Sequence, residues 1–301
     1  MAGETLSRRR ALLCAACAIG FPRSGARAEP ARRCDDVTAA PVVELTPVEE
    51  ERHAIFTLLA MAMTFDAWGV DTSRPEFVAA YASADPGRRF ASYLGHNIGA
   101  VLVDRHWNII NFALNRSVQL NSTLEHAEAR SVRAAIAAAN VGRKPGDPPS
   151  WSYGNLLKSA RLYTTLAPCE QCAGILDIAG VETIVYAQND AGQHEIVNVL
   201  YNLARSSGSS PAPTPIQATF SPFWKELDEA YTRFVNTAPK GASTGMTLFL
   251  QSIDSYRVYR EATTWFANME ARYVDNSSAL NRARSFRTTW SDRLEPGVAP
   301  N

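Results

Sequence analysis

Four side chains in this sequence have the types and spacing to do chemistry: His126, Glu128, Cys169 and Cys172. One imidazole and two thiolates can hold a zinc ion from three sides and leave its fourth position open, which is what distinguishes a catalytic zinc from a structural one. Glu128, two residues past the histidine, is close enough to reach a water in that open position without ligating the metal. Cys169 and Cys172 are three residues apart, so on a helix their thiols share a face. Pro168 ahead of them suits a helix start, where its missing N–H is no loss. The positive end of a helix favours thiolate over thiol.

His126 also opens a helix by composition. The run Glu128 to Ala139 is dense in alanine and other good helix formers, and Gly142 and Pro145 end it. Two helix starts would then face each other with the metal between them. Taken alone, His-Ala-Glu carries no information, and a lone Cys-x-x-Cys in an exported chain is more often a disulfide or redox pair than a metal site. The combination, in this order and with proline before the first cysteine, is the H-x-E…P-C-x-x-C pattern of zinc-dependent nucleobase deaminases.

The elements that must position these residues are legible around them. Pro47 to about Gly69 reads as a helix, with Ile55, Leu58, Leu59, Ala62 and Met63 at helical spacing; His53 near its start reads as a surface residue. Residues 71–95 read as loop, with Asp85-Pro86-Gly87 as a turn. Ile98–Asp104 reads as a buried strand, Asn108–Leu114 as its hairpin partner, Arg161–Leu166 as a third strand and Val181–Ala187 as a fourth. Residues 193–205 read as helix. Strands alternating with helices predict an α/β layered domain with the site at strand ends. Beyond Ser206–Pro215, a linker by composition, Phe220, Phe223, Trp224, Leu227, Tyr231, Phe234 and Val235 form an amphipathic stripe. Met246, Phe249, Leu250, Ile253 and Tyr256 form a second. These stripes either pack on the core or on each other, or offer a docking surface. The organisation predicted is 1–28 export signal, 29–46 flexible lead, 47–205 catalytic domain, 206–219 linker, 220–290 helical extension and 291–301 tail.

The chain has 301 residues, 30 basic and 30 acidic side chains, and is 46% hydrophobic, which suits one large or two modest folded domains. No apolar run reaches the length of a transmembrane helix. Ser7-Arg8-Arg9-Arg10-Ala11-Leu12, a short apolar stretch to Phe21 and Ala26-Arg27-Ala28 resemble a twin-arginine export signal with its cleavage site. An ordinary secretory signal, or a lipoprotein site at Cys17, are the alternatives. Without Glu4 and arginines 8, 9, 10, 23 and 27, the mature chain carries 25 basic and 29 acidic residues, a net charge of −4. That balance disfavours nucleic acid as the main partner. Three of the 5 cysteines then remain, Cys34, Cys169 and Cys172. A folded, metal-loaded protein exported by the twin-arginine route would protect the Cys-x-x-Cys pair from oxidation.

From about residue 48 to 205 the chain resembles the cytidine/deoxycytidylate deaminase superfamily, nearest the branch of tRNA adenosine deaminases, guanine deaminases and fungal-type cytosine deaminases. Gly99-Ala100-Val101-Leu102-Val103 resembles that branch's first core strand. His126-Ala127-Glu128 resembles its first metal motif and Thr165–Gly174 its second. Ala167 departs from the family's usual glutamate before Pro-Cys, and the insert at 142–155 lengthens the spacing between the motifs.

The resemblance implies a three-layer α/β/α fold with a mixed central sheet, extended here by C-terminal helices. It implies Zn2+ as cofactor on His126, Cys169 and Cys172, with Glu128 as the catalytic proton carrier. Asn115 and the backbone at Ala127 would bind substrate. It implies hydrolytic deamination of a small nucleobase or nucleoside, purine or cytosine type, and a homodimer. Two other classes stay open: an exported, toxin-like deaminase of nucleic acid, and a non-catalytic binding protein on the same fold.

Overall fold

In a computed structural model of the protein, residues 40, 42–142, 144, 157–191, 201, 213–238 and 243–291 are described. The signal-like segment 1–28, Cys34, most of the insert at 142–155, all but Tyr201 of the helix expected at 193–205 and all but Ser291 of the tail lie outside these residues.

The first helix, α1 (Pro47–Asp66), starts where the sequence places it. Thr46 accepts from the backbone N–H of Glu49, and the Glu49 carboxylate accepts from that of Thr46, a reciprocal capping box followed by Pro47 in the first turn. From Ile55 to Phe65 every residue is buried, so α1 is enclosed on all sides rather than lying on a surface. His53 is buried too. Its Nδ1 lies 2.9 Å from the Tyr163 hydroxyl, and its ring meets Trp107, Tyr163 and Phe220. The surface assignment for His53 is therefore corrected: its cover comes from residues 54 to 167 positions away, which no local pattern reveals.

Residues 71–95 are not all loop. They contain α2 (Pro75–Ala84), and a short parallel pair, β1 (Gly69–Val70) with β2 (Ala91–Ser92), closes the segment. The central sheet follows: β3 (Gly99–Val103), β4 (Ile109–Leu114), β5 (Arg161–Leu166), β6 (Thr183–Gln188) and β7 (Thr214–Gln217), in the order β4-β3-β5-β6-β7. β3 is antiparallel to β4 and β5, whereas β5, β6 and β7 run parallel, so the sheet is mixed. Strand β7 falls within the stretch whose composition reads as linker. Pro215 is tolerated there because β7 is an edge strand, where a missing backbone N–H need not break a ladder.

Successive residues of β5 separate the two faces of the sheet. Tyr163 points to α1, against Phe56 and His53, while Thr164 points to the opposite face and reaches Glu128 on α3 (Ala127–Ala139). On that same face α4 (Glu170–Ala179) packs beside α3, and Gly180, at φ 77°, ends it in the left-handed conformation that glycine adopts without strain. The result is a three-layer α/β/α arrangement.

The C-terminal residues form α5 (Phe223–Thr237), α6 (Met246–Phe249), α7 (Ile253–Asn268) and α8 (Val274–Ser291). The second apolar stripe is broken into two helices because Ser252 caps α7, accepting from the N–H of Ser255. Helices α7 and α8 pack on α1. Arg287 of α8 makes a two-pronged ion pair with Asp66 at 2.7 and 2.9 Å, and Trp290 sets its edge against Phe112 of β4. No described helix is long and apolar enough to cross a membrane.

Candidate metal centre

Two helix starts meet on the sheet face that carries Thr164. His126 is the N-cap of α3 and Cys169 the N-cap of α4; both have extended backbone, and neither side chain caps its own helix. The position favours serine, threonine, aspartate or asparagine, and a missing cap costs about 1 kcal/mol. These two side chains instead turn toward each other. Cys169 Sγ lies 3.3 Å from His126 Nδ1, and Cys172 Sγ, one turn into α4, lies 3.6 Å from it. The three candidate ligand atoms all fall within 4.8 Å of one another.

That spacing suits zinc. Bonds of about 2.3 Å to sulfur and about 2.1 Å to nitrogen, meeting at a tetrahedral angle, hold the two atoms about 3.6 Å apart. Two soft thiolates with an imidazole are also a zinc-type donor set. Cys169 and Cys172 are free thiols. Cys169 is held low, at about 4, chiefly by the hydrogen bond from Cys172, with His126 contributing. Cys172 is held high by that same shared proton and by burial. The hydrogen bond to Cys169 raises His126. A divalent cation held by these three groups would displace the protons they share.

Glu128 lies in the first turn of α3 and is buried. Its Oε1 accepts from the Thr164 hydroxyl at 3.3 Å and its Oε2 from the Cys172 thiol at 3.5 Å. Burial raises its pKa, so the carboxyl is suited to holding a proton. Ala127, fully buried, contributes only backbone at the helix start, where the first N–H groups have no helical carbonyl to serve them. Asn115 follows β4. Its Oδ1 accepts from the N–H of Ser117, while its Nδ2 is buried with no hydrogen-bond partner.

Two residues at this site carry no sequence motif. Thr164 is one of two adjacent threonines in a strand, and only the two-residue period tells which faces α3. His96, three residues before β3, is half-buried and close enough for the charge of His126 to act on it; burial first, and then His126, lower its pKa. Its Nδ1 is 2.8 Å from the Tyr93 hydroxyl.

Comparison with known proteins places these residues in a wider set. Over 93 residues the chain is 34% identical to a tRNA-specific adenosine deaminase of Agrobacterium fabrum, covering 31% of this chain and 52% of that protein. Over 105 residues it is 27% identical to a cytosine deaminase of Candida albicans, covering 35% and 61% respectively. The chain thus spans between half and two thirds of the length of these relatives. Among solved structures, a tRNA:A34 deaminase aligns with 48% of this chain and 92% of its own at 26% identity and a TM-score of 0.31. The guanine deaminase of Nitrosomonas europaea aligns with 81% of this chain and 100% of its own at 15% identity and a TM-score of 0.32. Residues 77–188, which contain His96, Asn115, His126, Glu128, Thr164, Cys169 and Cys172, match the family described as the cytidine and deoxycytidylate deaminase zinc-binding region.

Proposed function

We propose that this protein is a zinc-dependent hydrolytic deaminase of a nucleobase or nucleoside. The observation that carries the reading is the triangle of His126, Cys169 and Cys172 with the buried Glu128 beside it. His126 Nδ1 and the two sulfurs would hold the ion. When bound, zinc supplies Lewis acidity that makes an attacking water acidic near neutral pH.

The chain's own residues do the rest. Glu128 takes one proton of the attacking water, holds it in a buried carboxyl and passes it to the ring nitrogen, then takes the remaining hydroxyl proton and passes that one to the departing amine. Thr164 keeps the carboxylate turned toward the triangle through its hydroxyl. Asn115 offers its free amide N–H groups to the substrate. One C–O bond forms, one C–N bond breaks, and ammonia leaves as the carbon that bore the amino group becomes a carbonyl.

The two curated relatives act, by name, on tRNA adenosine and on cytosine. Their names support both a polymer and a free base as substrate. The net charge of −4 left after residues 1–28 supports the free base or nucleoside. The reading extends to an exported enzyme, on the strength of Ser7–Leu12 and Ala26-Arg27-Ala28.

The test is ammonia release by the zinc-loaded protein over adenine, guanine, cytosine, their nucleosides and tRNA. Activity on one of the small molecules, lost in Glu128→Ala with zinc retained, is the expected result. Activity on tRNA alone supports the polymer reading. Absence of ammonia from every substrate in a zinc-loaded protein refutes the deaminase reading.

A further inference from the structure

The segment between β2 and β3 is fixed far more firmly than a connection needs. Gly95 is pressed against Asn115: a Cβ there would collide with Asn115 Oδ1 and come within 2.8 Å of the Asn115 carbonyl oxygen. Leu94 accepts backbone bonds from Val118 and Gln119, and Asn115 donates to Ile98, so residues 94–98 lie along the loop that leads to His126. On the other side of His96, Asn97 exchanges hydrogen bonds with both backbone groups of Gly69 and donates to the carbonyl of Leu250. The Ile98 N–H turns back to the His96 carbonyl at 2.6 Å. His96 therefore sits between two neighbours, Gly95 and Asn97, that are each held by contacts of their own.

Its ring is oriented as well. The Tyr93 hydroxyl stays protonated, its pKa raised by burial, and it has no hydrogen-bond partner among the described residues besides His96 Nδ1. The pair admits either direction; with the phenol as donor to Nδ1, the tautomer we take, the ring hydrogen is on Nε2. Nε2 has no partner among the described residues. The Asn115 amide nitrogen, on the strand end that Gly95 touches, is buried with no partner either. A buried donor left unsatisfied is costly, and a ligand that satisfies it gains that cost back.

We propose that His96, oriented by Tyr93, is a specificity-determining residue that donates from Nε2 to the substrate beside Asn115, so that the site selects a base edge of acceptors: a carbonyl oxygen or an unprotonated ring nitrogen. The inference rests on the deaminase reading for its substrate class, but binding tests it without turnover.

The dissociation constants of cytosine, guanine, adenine and their nucleosides are measured by calorimetry on zinc-loaded Glu128→Ala protein, alone and combined with His96→Ala, His96→Gln or Tyr93→Phe. The expected result is about tenfold weaker binding of the preferred base with His96→Ala. Gln restores part of the loss by offering an N–H near the Nε2 position, and Tyr93→Phe falls between. Zinc content and melting temperature stay unchanged, which separates recognition from a packing role. Histidine 15N shifts in the full-length protein place the proton on Nε2 and move when the base binds. Equal affinity with and without His96, or no binding of any base, overturns the proposal. Turnover by the native protein with His96-independent affinity overturns this inference alone, and His96-dependent binding without turnover overturns the deaminase reading alone.

Discussion

The side-chain amide of Asn97 donates to the backbone carbonyl of Leu250, 3.1 Å away and 153 residues further along the chain. This bond ties the C-terminal helices to the segment that leads into β3 and past His96. The same region is tied again at Tyr81, whose hydroxyl accepts from the Trp68 indole and donates to the carbonyl of Gln251. Helices α7 and α8 thus pack on α1, and the turn between α6 and α7 holds the segment that leads into β3.

That bracing is testable at Asn97. Asn97→Ala removes three buried hydrogen bonds, to Gly69 N–H, Gly69 carbonyl and Leu250 carbonyl. Each is worth about 1 kcal/mol net, so chemical denaturation is expected to show a loss of about 3 kcal/mol. The Michaelis constant for the preferred base rises with it. A variant with unchanged stability would show that these bonds do not hold the segment.

Thr164→Val keeps shape and removes the hydroxyl that bonds Glu128. A hydrogen bond to the charged carboxylate lowers its pKa, so its loss raises a value that burial already holds high. The acid limb of the kcat/KM profile is expected to move to higher pH, with roughly tenfold lower kcat/KM at neutral pH. A superimposable profile would remove Thr164 from the account.

The fold's acid sensitivity is predicted to centre on His53. Burial, with Arg161 nearby, lowers its pKa to about 4 from an ordinary value of 6.5. The unfolded chain therefore takes up the proton first. Stability present above pH 6.5 is lost as pH falls toward 4, by up to about 3 kcal/mol. Denaturation midpoints across that window should fall in the native protein and fall less in His53→Gln. Equal slopes in the two proteins would assign the acid loss elsewhere.

Cys169 occupies an N-cap without capping. Cys169→Ser removes a metal ligand but offers the oxygen that this position favours. In excess chelator the variant is expected to match or exceed the native protein in stability by about 0.5–1 kcal/mol. With zinc present the order reverses, because the native protein alone gains metal-binding energy. The same order under both conditions would mean that no metal stabilises the native fold.

What the sequence disclosed, and what it withheld, follows from the range over which each residue finds its partners. His126, Cys169, Cys172 and Glu128 are legible because each sits at a helix start that proline, alanine and spacing mark locally. Strands β3 to β6 are legible because each is a short run of apolar and β-branched residues bounded by polar or turn residues. His96 was missed because its role comes from Tyr93, Asn115 and His126, which only the folded chain assembles. The burial of His53 depends on Trp107, Tyr163 and Phe220 in the same way. Strand β7 was hidden by Pro213 and Pro215, residues that mark a linker in isolation and are acceptable at a sheet edge.

The measurement that bears most directly on the central claim is X-ray absorption at the zinc edge, with metal quantitation, on the full-length native protein. One zinc per chain is expected, with two sulfurs at about 2.3 Å and two lighter atoms at about 2.0–2.1 Å, one of them His126 nitrogen. A fully active protein containing no metal, or one with Cys169 and Cys172 joined in a disulfide, would contradict the account.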